Sequence, residues 1–197
     1  YPCLKDIIST YKKGTDFSIY MDTDGLIHAG SGLDQVTWMD VRVGDWVATP
    51  RHGKPVEINA LWYNALCTMD MLQTKFGDND DSYRQLASLV KTSFNKRFWN
   101  ENTGCLYDVV DEDDDTIRPN QIYAVSLPFT MLDKEREKAI VDTVTDKLYV
   151  GCGLRSLDPD HKDYHPIYIG SLSKRDHAYH QGTAWGFLLG GFISGVV

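Results

Sequence analysis

Apolar residues return every three to four positions through most of this chain, and polar, glycine-bearing stretches interrupt them. Leu4, Ile7, Ile8 and Tyr11 recur at helical spacing before Gly14, which predicts a short amphipathic helix with a glycine stop. Phe17 to Met21 and Leu26 to Ala29 are apolar runs separated by Asp22-Thr23-Asp24-Gly25, a hairpin signal. Pro55 at a first-turn position opens a helix whose face carries Ile58, Leu61, Trp62, Leu66, Met69 and Leu72, running to about Phe76. Gly77-Asp78-Asn79-Asp80-Asp81 breaks it and caps a second helix with Tyr83, Leu86, Val90, Phe94 and Phe98 on its apolar face. These two form an expected antiparallel helical hairpin. A turn at Asn102-Thr103-Gly104 leads into a strand-like run from Cys105 to Val110. Further helices are predicted to carry Ile122, Val125 and Phe129, and then, from near Asp133, Ile140, Val141, Val144 and Leu148. Residues 155 to 175 read as a long irregular segment, and Tyr179 opens a last apolar helix to the end. At least six helices, mostly paired, with short β excursions in the connections, predict an all-α array of helical hairpins.

Composition narrows what such an array does. The 197 residues are 42% hydrophobic, enough for a real core in one domain or part of a larger one. A formal charge of -8 provides no basic field for polyphosphate, so nucleic acid and anionic membrane surfaces are not expected partners, and a neutral ligand suits the chain better. No apolar run reaches the roughly 18 residues that span a bilayer. The four cysteines stand far apart without metal spacing and read as buried thiols; with no secretory leader and no glycosylation sequon, a reducing, cytoplasmic setting is expected. The acidic run Asp111 to Asp115 lacks the residue order of an EF-hand and reads as a solvated loop. No cofactor or metal is expected, since neither ligand spacing nor a phosphate-binding glycine loop occurs.

The candidate chemistry lies between Thr37 and Trp62, where carboxylates, an arginine, an asparagine and three tryptophans fall together. Carboxylates and amides answer sugar hydroxyls, indole faces cover the apolar surface of a pyranose, and a carboxylic acid held against such rings stays protonated near neutral pH. Asp40 beside Trp38 and Glu57 near Trp62 both fit the acid that protonates a glycosidic oxygen. Each residue also has a plainer role open to it. Glu57 suits the first turn of a helix, Arg51 a surface ion pair, Asn120 a helix N-cap, His180 a structural site, and the tryptophans the core. In an array of hairpins one set of loops converges on a central cavity, and Asp40, Arg51, Glu57, Asn120, His180 and Gln181 all fall near helix starts.

The segments Thr37-Trp38-Met39-Asp40, Gly44-Asp45-Trp46, Thr49-Pro50-Arg51, Gly53 to Trp62, Arg118-Pro119-Asn120-Gln121, Gly153 to Leu157 and Tyr179 to Trp185 occur in an order that resembles the amylo-α-1,6-glucosidase part of glycogen debranching enzymes, particularly bacterial ones. The resemblance implies an (α/α)6 toroid that hydrolyses the α-1,6-linked glucose of a branch with inversion, acting on glycogen or branched α-glucan oligosaccharides. It assigns Asp40 as the general acid. Trp38, Arg51, Glu57, Asn59, Trp62, Asn120, Gln121, Tyr179, His180 and Gln181 are the expected sugar-binding groups. The resemblance places the general base on a glutamate in a later segment that these residues do not match. Residues 1 to 197 are therefore expected to be a single piece of the catalytic domain, an incomplete toroid cut at both ends, with apolar faces uncovered at Leu4 to Tyr11 and Trp185 to Val197. A related glucoamylase or disaccharide phosphorylase, or a binding module that holds oligosaccharide without cleaving it, are the alternative readings.

Overall fold

A computed structural model describes residues 1 to 78 and 81 to 197. Among them the chain forms seven α-helices, α1 (Pro2–Lys13), α2 (Val56–Phe76), α3 (Ser82–Arg97), α4 (Tyr123–Ser126), α5 (Lys134–Lys147), α6 (Leu172–Tyr179) and α7 (Leu189–Val196), joined by two-residue strands. The fold is mostly helical, as the periodicity predicts. Helix α1 stops at Gly14, whose φ of 100° suits glycine. Helix α2 begins one residue later than expected. Pro55 is its extended N-cap, still engaged in a strand pair with Val109, and Gly77 closes it in the left-handed conformation. Of the predicted break between α2 and α3, Asn79 and Asp80 lie outside the described residues.

Helices α2 and α3 run antiparallel. Arg84, early in α3, reaches Asp70, late in α2, while Trp62, early in α2, and Val90, midway along α3, both meet Gly25. Their facing residues, Val56, Ala60, Leu66 and Met69 against Val90, Phe94 and Phe98, join Ile140, Val144 and Leu148 of α5 and Phe192 of α7 in one core. The predicted hairpin is present, pairing Tyr20 with His28 and Met21 with Ile27 across Gly25 at φ 82°. Asn59 of α2 holds it in place: its amide accepts from the Ile27 N–H at 2.7 Å and donates to the Ile27 carbonyl at 3.1 Å.

Three stretches depart from the expected elements. The helix expected to reach Phe129 is a 3-10 turn over Pro119–Ile122 followed by α4, and it ends at Ser126. Pro128 forces Leu127 to extended backbone, so no helix passes it. Leu172–Tyr179, expected partly as irregular chain and partly as the start of the last helix, forms α6, capped by Ser171 accepting from the Lys174 N–H. After it, His180 to Thr183 turn back, and Ala184–Trp185 pairs with Leu154–Arg155 before α7 begins.

The cysteines divide: Cys105 is buried and Cys67 half-buried, but Cys3 and Cys152 are exposed, against the expectation of four buried thiols. The acidic loop is only partly free. Asp111 pairs with Arg97 and with Lys54, whose ammonium is buried among Asp22, Asp24 and Asp111. Leu4, Ile7 and Tyr11 of α1 are exposed, as are Ile193 and Val196 of α7. Among the described residues, no helix is long and apolar enough to cross a membrane.

Candidate functional site

Short strand pairs bring distant charges together at the start of α2. Val109–Val110 pairs with Lys54–Pro55, and the Val56 N–H donates to the Asp108 carbonyl at 3.0 Å. That clip sets Asp108 beside Glu57 in the first turn of α2. Between the two carboxylates lies Arg51. Its Nε donates to Asp108 Oδ2 at 2.6 Å and its Nη2 to Glu57 Oε2 at 2.6 Å, while Nη1 binds the other oxygen of Glu57. All three are buried. Burial alone would lower the guanidinium, but Asp108 and Glu57 hold its pKa well above the ordinary value, so it stays charged.

The network continues from Asp108 to the surface. Asn120, fully buried in the 3-10 turn, donates from Nδ2 to Asp108 Oδ1 at 2.7 Å, and its Oδ1 accepts from Trp38 Nε1 at 2.7 Å. A carboxylate only accepts and an indole N–H only donates, so the two neighbours fix which way the amide faces. Met39 is buried with its sulfur 3.7 Å from Asn120 Nδ2 and 3.8 Å from Arg118 Nη1. Trp38 and Met39 thus pin the loop, and Asp40 directly after them is exposed. Among the described residues Asp40 makes no hydrogen bond or ion pair.

Arg118, held extended by the proline after it, joins this network to the turn after α6. It donates to the Ser156 carbonyl at 3.0 Å, the His180 carbonyl at 2.8 Å and Gln181 Oε1 at 2.9 Å, with Asp108 3.8 Å from its Nε. Burial lowers its pKa, and the nearby Arg51 adds to that effect against the carboxylates. The Leu154–Trp185 strand pair orients the turn, and Gly153 permits it, since a Cβ there would lie 2.9 Å from the Trp185 backbone.

His180 is buried, and its Nδ1 has no hydrogen-bond partner among the described residues. Burial first, then Arg118 and Arg51, push its pKa down to about 4, so the ring is neutral at physiological pH. It sits in an aromatic cluster: Trp38 stands edge-on to His180 at 5.2 Å, to Trp185 at 5.6 Å and to Phe187 at 5.1 Å, and Tyr179 lies 4.7 Å from His180. Phe187 is exposed and Trp38 and Trp185 half-buried, so an aromatic surface adjoins the Asp40 loop.

Trp38, Arg51, Glu57, Asn120, Tyr179, His180 and Gln181, drawn from positions over 140 residues apart, therefore belong to one connected cluster with Asp40 on its loop. Three expected members spend their side chains on backbone groups around it. Asn59 has its amide engaged by the Ile27 backbone and by the Pro55 carbonyl at 2.9 Å. Trp62 donates to the Gly25 carbonyl at 3.0 Å and faces Tyr11 in a cavity between α1 and α2. Gln121 accepts from the Leu106 N–H and donates to the Arg118 carbonyl, and is buried. These three support the fold around the cluster. Glu57 is also no free acid, because Arg51 holds both its oxygens. The sequence reading missed Asp108, the hub of the network. Its signal was an acidic residue inside the apolar run from Cys105 to Val110, which calls for a buried partner.

The family of amylo-alpha-1,6-glucosidases matches residues 1 to 197, the full length of the chain. The glycogen debranching enzyme of Saccharomyces cerevisiae is 29% identical over 230 aligned positions, which take in 92% of this chain. The chain spans 15% of that protein's length.

Proposed function

Since this chain belongs to the amylo-α-1,6-glucosidase family, we propose that it serves in glycogen debranching, hydrolysing the α-1,6-linked glucose of a branch point with inversion. Asp40 is the general acid in this reading, the substrate is glycogen or a branched α-glucan oligosaccharide, and the seven helices are part of an (α/α)6 toroid. A cytoplasmic setting belongs to the same proposal.

One observation carries the reading. The loop bearing Asp40 is anchored by two contacts, Trp38 on Asn120 and Met39 against Arg118 and Asn120, yet the Asp40 carboxylate itself is exposed and, among the described residues, unpartnered beside an aromatic surface. A general acid must be held in place while its own oxygens stay free for the glycosidic oxygen. The other carboxylates of the cluster fail that condition, since Glu57 and Asp108 both grip Arg51. Trp38, Trp185 and Phe187 offer apolar faces for the sugar ring, and His180 packs behind Trp38 and Trp185. Inversion also requires a second carboxylate across the ring to activate water.

The test is glucose release from a branched limit dextrin by the full-length gene product and by its Asp40→Asn variant. The variant keeps the shape and loses the transferable proton, so kcat falls by roughly 10²-fold or more while oligosaccharide still binds. Proton NMR of the first product identifies the anomer. Near-normal turnover by Asp40→Asn overturns the assignment, and glucan binding without glucose release by the unmutated protein favours a binding module.

A further inference from the structure

A second cavity lies on the other side of the turn that carries His180. It measures about 240 Å³ and is lined by Trp46, Ala48, Asp163, His165, His177 and Gln181. No lysine or arginine lines it. We propose that this cavity is an accessory sugar subsite, which takes one glucose unit of the glucan beyond the unit that is cleaved. The proposal rests on the glucan-hydrolysing reading above and assigns residues that the reading leaves without a role.

The chemistry of the walls selects the ligand. Trp46 lies on the His177 ring with centroids 4.2 Å apart and planes at 25°, and the residue remains 37% exposed, so indole surface is available to a ligand. His177 Nδ1 is 2.7 Å from the Ser173 carbonyl, and His165 Nδ1 is 2.7 Å from the Asp163 carbonyl. A carbonyl only accepts, so each Nδ1 carries a proton, and in that tautomer each Nε2 is the ring's acceptor. With the Asp163 carboxylate, the cavity offers several acceptors beside an aromatic face. A ligand that matches it brings hydroxyl donors on its rim and a C–H face for stacking, as a pyranose does. An anion finds no lysine or arginine here. Among the described residues no group of histidine and carboxylate side chains converges as a metal site does.

The cavity is also built firmly into the candidate site. The His165 N–H donates to the Gln181 carbonyl at 2.7 Å. A Cβ on Gly182, whose φ is 146°, would lie 2.4 Å from the His165 carbonyl oxygen, so glycine alone lets this loop close on the turn. Gln181 accepts from Arg118 and donates to the Ala48 carbonyl at 3.0 Å, tying the cavity wall to the network that pins Trp38 and Met39. Trp46 stands on the two-stranded hairpin, Arg42–Val43 with Trp46–Val47, that follows directly after Asp40. One turn, from Tyr179 to Gly182, therefore presents His180 to the aromatic surface and Gln181 to the cavity.

The experiment measures binding directly, by calorimetry of maltotetraose with the full-length gene product and with its Trp46→Ala and Asp163→Ala variants. Asp163 is exposed, so the second variant leaves the core untouched should Trp46→Ala fail to fold. The expected result is a rise in Kd of roughly tenfold for Trp46→Ala and severalfold for Asp163→Ala, the scale of one stacked ring and one hydrogen bond. Wild-type affinity in both variants, or no binding by the unmutated protein at millimolar sugar, overturns the subsite. Because binding is read without turnover, intact maltotetraose binding in a protein that releases no glucose counts against the hydrolytic reading alone.

Discussion

Asp108→Asn tests whether the buried charges are held as a unit. The Asp108 carboxylate accepts from Arg51 at 2.6 and 3.1 Å and from Asn120 at 2.7 Å, and it lies 3.8 Å from Arg118. Arg51, Arg118, Glu57 and Asp108 place two positive and two negative charges in the interior, each residue at most 5% exposed. The substitution preserves volume but leaves two cations facing one anion. Removing one partner of a buried ion pair costs about 3–5 kcal/mol, because the remaining charge stays desolvated and uncompensated. A domain of ordinary stability, about 5–15 kcal/mol, loses a large share of its margin. At about 2–4 °C per kcal/mol for a chain of this size, the melting temperature falls by roughly 6–20 °C. Urea titration followed by circular dichroism gives the free energy. A double-mutant cycle with Arg51→Met gives the coupling, expected above about 1 kcal/mol. A variant within about 1 kcal/mol of wild type, or singles that simply add, would refute the reasoning.

Other outcomes follow from the same contacts. His180 is pushed from its ordinary value near 6.5 to about 4, so between those values the unfolded chain binds a proton that the folded chain does not. The stability it supports is fully present above pH 6.5 and falls by roughly 3 kcal/mol as pH drops to 4; His180→Gln should flatten that part of a plot of urea midpoint against pH, and an unchanged slope rules the linkage out. Asn59→Ala strands the Ile27 N–H and carbonyl and should destabilise by about 2–4 kcal/mol in urea titration while leaving glucan affinity as it was, whereas weaker binding in the folded variant would return Asn59 to the site. Gly182→Ala should lower the melting temperature by several degrees and weaken maltotetraose binding, since its Cβ drives the His165 loop away; wild-type behaviour in both would show that the loop yields freely.

Much of the helical scaffold was legible because burial is one-sided. Helices α2, α3 and α5 each present an apolar stripe to a shared core, and that stripe is what periodicity detects. Helix α6 has no such stripe. Of its eight residues only Ala178 is buried, so Leu172 to Tyr179 shows no apolar repeat and is fixed instead by its Ser171 cap and by the turn behind it. The end of α4 was legible in principle, since Pro128 restricts Leu127 whatever the apolar pattern beyond it says.

The site was legible as a set of residue types, and less so as a set of faces. Glu57, Asn59 and Trp62 fall within six positions of one another, which suggests common purpose, but they lie on a helix. At 3.6 residues per turn, Asn59 points about 200° away from Glu57 and Trp62 about 140° away. Only Glu57 therefore turns toward Arg51 and Asp108; Asn59 reaches Ile27 on the far side and Trp62 reaches Gly25. The Thr37 to Asp40 loop works differently. Its backbone is free of a helical repeat, so neighbouring side chains take unlike surroundings: Trp38 on Asn120, Met39 inside, Asp40 in solvent. Asp108 escaped notice for the converse reason. Its partners, Arg51, Asn120 and Arg118, stand 57, 12 and 10 positions away, and only the pairing of Val109–Val110 with Lys54–Pro55 brings the first of them within reach. A carboxylate inside an apolar run announces that a buried partner exists; the strand register decides which one it is.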